Sequence, residues 1–452
     1  MEHCMSPKDL NALAADFRTA SESTRRETLA RLLLDASSDD PSNRNLVAFA
    51  MALRGSGEMR WAEAAFALAA TIPHQRPIAR YELAVLWSLQ ERLQPAIATF
   101  MEIWQERGLT PAQQFNVARQ CARAGNFDKA KSILHACFED TALYHEVIAE
   151  LAFCDYLEMF PKGKVLALHE AIAASHTVQS HQTVFERLMA ALEAGQPMSV
   201  IRLGDGEGIY LQLSCSDESR FYPLYRRGRA EFHKIWYAGQ DLIDDLDFIA
   251  QMRKVQAAYR NADCLSLLHL DGLHNQFNIG SPRGIPALTN MLRFLEASAQ
   301  ETPTRTVCEA DVSRSLLVKG HLSQLLKSRP FVGLVSCYAQ LPDLLTSHFA
   351  VGEVALHRTC GEDVARQTLG EDKPGQQPAR DFLANHHATC DSLKTIRRGQ
   401  LYLVAAGIFG KLYCDMIKQG GGIALDIGSV ADIWVNVPTR RFTREEKKHA
   451  LA

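Results

Sequence analysis

Residues 198–213 read Met198-Ser199-Val200-Ile201-Arg202-Leu203-Gly204-Asp205-Gly206-Glu207-Gly208-Ile209-Tyr210-Leu211-Gln212-Leu213. The first six are short, apolar and partly β-branched, and predict a strand. Glycines at 204, 206 and 208 leave the backbone free to turn sharply and to approach a ligand closely. Two carboxylates, Asp205 and Glu207, stand between them. Ile209, Tyr210, Leu211 and Leu213 then restore apolar character, as a helix entering a core would. A strand that stops at a glycine-rich acidic turn is where open α/β sheets bind nucleotides and metals. An ordinary Asp-Gly turn accounts for the same residue types with no ligand at all.

The flanking sequence supports an α/β domain. Upstream, Phe185, Leu188, Met189, Ala191 and Leu192 share one face of a helix expected over Thr183 to Glu193, stopped by Gly195-Gln196-Pro197. Downstream, apolar runs at 263–268, 331–337 and 354–356 predict strands, and 306–314 predicts a strand end followed by a helix. Residues 361–380 are polar and rich in Gly, Pro and Gln, which predicts a flexible loop of the kind that covers sites. The most regular unit is the last. A strand over 400–406, a glycine turn at 407–411, a helix over 412–418 and a strand over 423–428 make a parallel βαβ crossover. Gly407 to Lys411 is a candidate anion site at a helix N-terminus, and Asp426 sits at a strand's carboxyl end. The expected fold class is α/β, a Rossmann-like and mostly parallel sheet, preceded by an all-α domain.

That first domain repeats. Ala50, Gly57, Ala62 and Phe66 recur 34 residues on as Ala84, Glu91, Ala96 and Phe100, and again as Ala118, Gly125, Ala130 and Leu134. Met59, Leu93 and Phe127 keep the same register. Small residues recur where two helices approach, and the period resembles that of the tetratricopeptide (TPR) repeat, a helix-turn-helix unit. Residues 8 to 36 read as one more helical pair. Such a stack commonly offers a surface to a peptide or protein, or merely supports the domain that follows. The expected division is 1–158 for the repeats, 159–179 for a connection with a turn at Pro161-Lys162-Gly163-Lys164, 180–440 for the α/β domain and 441–452 for a polar tail.

A net charge of −3 gives no general drive toward nucleic acid or an anionic membrane. Eleven scattered cysteines without a CxxC pair fit reduced thiols, and with no apolar signal core or membrane span they predict a cytoplasmic protein. His269, Asp271 and His274, like His386, His387 and Cys390, are too few at each place for a metal site and read as hydrogen-bonding groups. Tyr222, Tyr225, Arg226, Arg227 and Arg229 read as an amphipathic surface helix.

Residues 180 to 436 resemble the GT-D-type glycosyltransferases, bacterial enzymes marked by an R-x-G-D-G-E sequence with a DxE motif. The motif stands here as Arg202-Leu203-Gly204-Asp205-Gly206-Glu207, and Leu403 to Gly407 with Ala424-Leu425-Asp426-Ile427-Gly428-Ser429 match the C-terminal pattern. Gly208 takes a place that in the family often holds an aromatic residue. The resemblance implies sugar transfer from a nucleotide-sugar donor, expected to be a UDP-sugar, to a glycan or glycoprotein acceptor. It implies a divalent metal, Mn²⁺ or Mg²⁺, held by Asp205 and Glu207 as catalytic residues, with Arg202, Gly204, Gly206, Gly407 and Asp426 around the donor. A hard cation between carboxylates would neutralise the charge growing on a diphosphate leaving group. The acceptor hydroxyl needs a general base, for which Glu309, Asp311 and Asp426 stand equally. The alternatives are an inactive nucleotide-sugar-binding or adaptor protein that works through its repeats and, more weakly, a phosphoester hydrolase.

Overall fold

The structure is a computed structural model and describes residues 6–36, 45–204, 206–237, 240–301, 306–361, 382–437 and 442–451. The chain divides into two compact units between Asp155 and Tyr156.

The first unit is all helix. Helices α1 (Pro7–Thr19) and α2 (Glu22–Ala36) precede three hairpins. These are α3 (Asn45–Gly55) with α4 (Met59–Ala69), α5 (Arg76–Leu89) with α6 (Leu93–Arg107), and α7 (Pro111–Arg123) with α8 (Phe127–Ala136). The 34-residue period of the sequence is a period of structure. Ala50, Ala84 and Ala118 on the first helices, and Ala62, Ala96 and Ala130 on the second, are fully buried. So are Phe66, Phe100 and Leu134. The turns repeat as well: the N–H groups of Glu58, Arg92 and Asn126 donate to the carbonyls of Leu53, Trp87 and Cys121 at 2.9, 2.8 and 2.9 Å. This is the six-to-one closure of a helix that ends in a left-handed residue. Gly57, Glu91 and Gly125 are those residues, with φ of +86°, +63° and +78°.

The second unit carries a seven-stranded sheet, parallel throughout, in the order β3-β2-β1-β7-β6-β4-β5. The strands are β1 (Met198–Ile201), β2 (Cys264–Ser266), β3 (Thr306–Cys308), β4 (Phe331–Ser336), β5 (Glu353–Arg358), β6 (Leu401–Ala405) and β7 (Ile423–Asp426). β1, β2, β4 and β7 are buried along their whole length, as strands covered on both faces must be, and the edge strand β5 is half-buried. Side-chain alternation sorts the two faces. Met198, Val200, Leu401, Leu403, Ile423 and Leu425 join one core with residues of the helices His181–Ala194, Val312–Val318 and Val430–Trp434. Val404, of the opposite parity, meets Gly410 of the helix Gly410–Gln419. That helix therefore covers the other face, where it packs with the helix Leu246–Asn261.

Several local expectations change. Residues after the acidic turn form one 3₁₀ turn, Glu207–Tyr210, and not a longer helix. The stretch 159–179 is not a plain connection: the helix Lys162–Ser175 fills most of it, and Pro161 is its N-cap instead of part of a free turn. The end of the chain is more than a polar tail. Thr443 and Glu446 form a capping box for the helix Arg444–Lys448, and Glu446 and Leu451 are buried. The loop expected over 361–380 lies almost wholly outside the described residues. Among the described residues no helix is long and apolar enough to cross a membrane.

Candidate active site

A cleft of about 320 Å³ opens at the carboxyl edge of the sheet. Every strand contributes residues from just beyond its end, among them Arg202 to Gly204 after β1, Leu267 to His269 after β2, Asp311 after β3, Tyr338 after β4, Cys360 after β5, Gly407 after β6 and Gly428 after β7. Chain leaving β1 enters the Glu207–Tyr210 turn, which packs on the helices Tyr222–Trp236 and Gly284–Glu301. Chain leaving β7 enters Val430–Trp434, in the core of the opposite face. Neighbouring strands whose exits part in this way leave the crevice in which open α/β sheets bind ligands.

Four charged side chains converge at its base. Asp426 ends β7 with the parity of Ala424, so its carboxylate points to the face covered by Gly410–Gln419, and Lys411 in the first turn of that helix reaches it. Lys411 Nζ donates to Asp426 Oδ2 at 2.5 Å and lies 3.4 Å from Glu207 Oε1. Arg202 Nε donates to Asp426 Oδ1 at 3.3 Å, and the Arg202 backbone N–H to Oδ2 at 3.3 Å. Burial works against charge on Lys411, Arg202 and Asp426, and the neighbours outweigh it. Lys411 and Arg202 hold Asp426 below the ordinary carboxylate range, while Asp426 and Glu207 hold Lys411 and Arg202 above theirs. Burial, then Glu207 and Asp426, push the adjoining Tyr259 phenol well up. Two cations and two carboxylates balance one another in a place where a single unpaired charge would be costly.

The sequence-derived residues separate on this geometry. Arg202, Gly204, Glu207 and Gly407 line the cleft. Asp205 lies outside the described residues. Gly204 sits against the Glu207 carboxylate and Gly206 against Phe232 and Trp236, so neither position has room for a side chain. Gly208 lies against the backbone carbonyl of Ala287, which explains glycine in a place the family often gives to an aromatic ring. Asp426 is 2% exposed and is not on the cleft's lining, and it holds Lys411 and Arg202 from below. Lys411, at the end of the Gly407–Lys411 turn, is 1% exposed and engaged by Asp426, and it meets the cleft from beneath, on its lining.

Of the two carboxylates expected to hold a cation, Asp205 lies outside the described residues and Glu207 lines the cleft. Among the described residues no group of three His, Cys, Asp or Glu side chains is placed to hold a metal ion. Glu207 is buried against Lys411, whose ammonium occupies the space between the two carboxylates. Glu207 and Asp426 are thus already engaged by Lys411 and Arg202, and no step below runs through a cation. His386 is likewise committed, to the Tyr413 hydroxyl at 2.9 Å, and His387 to Asp247 at 2.6 Å.

Two features were missed as site features. Trp236, Tyr237, Phe382 and Phe409 give the cleft an aromatic wall, with ring centroids 4.4 Å apart between Tyr237 and Phe382 and 5.3 Å between Phe382 and Phe409. They come from three distant segments, so no local pattern announces them. On the lining, too, His269 Nε2 donates to Asp311 Oδ1 at 2.7 Å, and Arg314 is held by Glu446 at 3.3 Å. Asp311 and Arg314 were noticed in sequence, but nothing there joined them to His269.

Residues 179–359 match the family model GT-D-like, described as a GT-D fold-like domain. This stretch, similar to a GT-D-like domain, holds β1 to β5 and the whole of Arg202 to Glu207. The match ends at Thr359, before β6 and β7, so Lys411, in the helix Gly410–Gln419, and Asp426, at the end of β7, lie beyond it. No curated protein and no solved structure gives a significant match.

Proposed function

We propose that the protein is a glycosyltransferase that moves a sugar from a nucleotide-sugar donor, with UDP-sugars the first class to test, onto a glycan or glycoprotein acceptor. The observation that carries this reading is the composition of the cleft. A wall of four aromatic residues suits the faces of a nucleobase and a sugar ring. The rest of the lining includes Arg202 and Arg314, groups that suit a diphosphate. The GT-D-like match over 179–359 supports the same reading.

In this reading Arg202, pinned at one edge by Asp426, presents its guanidinium to the phosphates. Glu207 and Asp426 fix the position of Lys411, whose positive charge stabilises the leaving diphosphate from beneath. The neutralising task expected of a metal then falls to side chains already in place. A preorganised charge costs no rearrangement at the moment of reaction. The helical hairpins of the first unit are read as a recruiting arm for a protein acceptor or partner, on the strength of their repeating architecture.

Calorimetry with UDP-glucose, UDP-N-acetylglucosamine, UDP-galactose and GDP-mannose tests the reading, with and without Mn²⁺. The wild type should bind at least one donor, and Arg202→Ala should weaken that binding by about tenfold or more. A folded wild type that binds none of them excludes the transferase and leaves the adaptor, to be pursued through the repeats.

A further inference from the structure

Three carboxylates stood equal in sequence as the base for the acceptor hydroxyl, and the structure separates them. Glu309 accepts from His181 Nδ1 at 2.9 Å and does not line the cleft. Asp426 is buried beneath Lys411 and Arg202. Asp311 lines the cleft, half-exposed, and receives the His269 Nε2 proton at 2.7 Å. Ser266 and Cys308 are partners in the parallel register of β2 and β3, and His269 and Asp311 each stand three residues beyond that pair. The dyad is thus built into the sheet edge, where two adjacent strands release their chains side by side. The pairs His181–Glu309 and His387–Asp247 also join an imidazole to a carboxylate, but neither lines this cleft.

We propose that His269 is the catalytic base that takes the proton of the acceptor hydroxyl, and that Asp311 is its positioning residue. The proposal rests on the transferase reading. The acceptor O–H bond breaks as its oxygen forms a bond to the anomeric carbon. The bond from that carbon to the phosphate oxygen breaks, and its electron pair leaves with the nucleoside diphosphate. The proton goes to Nδ1 of His269, because Nε2–H is held by Asp311, and this assigns the tautomer. The groups that face the imidazole are Asp311, Arg314 and Asp271. Those that face the Asp311 carboxylate are His269, Arg314 and Arg202.

The dyad has a pH signature. The hydrogen bond and charge of Asp311 favour the imidazolium, so His269 titrates above its ordinary value despite partial burial. The base acts when neutral, so turnover should rise with pH through that raised value. Removing the Asp311 charge lets the imidazole lose its proton at lower pH, and the rising limb moves down the pH scale. Release of UDP from UDP-glucose, or from whichever tested donor binds, with water as acceptor reads this in the full-length chain. His269→Gln should keep donor affinity within about threefold and lose about 100-fold or more in turnover. Asp311→Asn should keep part of the rate, with its limb displaced to lower pH. The C2–H resonance of His269, assigned by its loss in His269→Gln, should titrate at higher pH in the wild type than in Asp311→Asn.

Turnover by His269→Gln at the wild-type rate, or a limb unmoved in Asp311→Asn, overturns the dyad and leaves the transferase standing. A wild type that binds and hydrolyses no tested donor overturns both.

Discussion

Two sets of charges, one in each unit, are held in opposite ways. In the helical unit Arg80 and Arg92 make ion pairs that stay partly wet. Arg80 meets Glu102 and Glu106 at 2.7 and 2.6 Å, and Arg92 meets Glu63 at 2.7 Å, with the glutamates 31–61% exposed. In the sheet unit Lys411, Asp426 and Glu207 are 1%, 3% and 7% exposed at the side chain. The first arrangement tolerates loss of a member, since water solvates what remains. The second does not, because the remaining charges are left in a low-dielectric setting. Stability in the helical unit is spread over repeated small contacts, whereas the sheet unit concentrates risk at its carboxyl edge, beside the cleft.

Lys411→Met breaks this contrast most directly. It leaves two buried carboxylates facing Arg202 alone, and should destabilise the fold by about 3–5 kcal/mol in urea unfolding. Truncating Arg80 to alanine removes two ion pairs and should cost under about 1 kcal/mol. If the two losses prove equal, the buried quartet is better solvated than its exposure implies. The quartet would then not be the fixed charge that the proposed mechanism uses.

Glu91→Gly sharpens the comparison from the other side. Gly57 and Gly125 occupy the left-handed turn position of the first and third hairpins, and Glu91 occupies it in the second at φ +63°. Left-handed backbone costs an L-residue about 1–2 kcal/mol, and the greater freedom of glycine in the unfolded chain takes back part of the gain. The substitution should stabilise by about 0.5–1 kcal/mol in urea unfolding. A destabilisation would mean that the Glu91 side chain contributes more than its backbone costs.

The same contrast explains what sequence could show. The hairpins were legible because their determinants lie within one period: Ala84, Glu91, Ala96 and Phe100 specify a turn and a helix crossing inside 17 residues. The strands and the βαβ unit were legible from local apolar runs for the same reason, and Arg202 to Glu207 marked the carboxyl edge. Pairings across the sheet were not. Arg202 and Asp426 are brought together by the β1–β7 pairing, and His269 and Asp311 by the β2–β3 register. No spacing in the chain encodes either meeting. Lys411 was read as an anion-binding lysine because its helix position was visible while its two carboxylate partners were not. The aromatic wall was hidden for the same reason.

The smallest expected effect concerns the cation. Asp205 and Glu207 two residues apart suggest a metal when read locally, but in the fold Glu207 already has Lys411 at 3.4 Å, and Asp426 has both Lys411 and Arg202. A divalent ion placed between these carboxylates would have to displace an ammonium held at 2.5 Å, with two positive charges then close together. Donor affinity in the wild type should therefore change by less than about threefold, under about 0.7 kcal/mol, between Mn²⁺ and excess chelator. A loss of tenfold or more on chelation, abolished in Asp205→Ala, would place the cation at the acidic turn and give Lys411 a purely structural role. Lys411→Met measured in the same titration separates the two arrangements further. With fixed cations it weakens donor binding at every metal concentration, whereas with a metal at the turn added Mn²⁺ restores the binding.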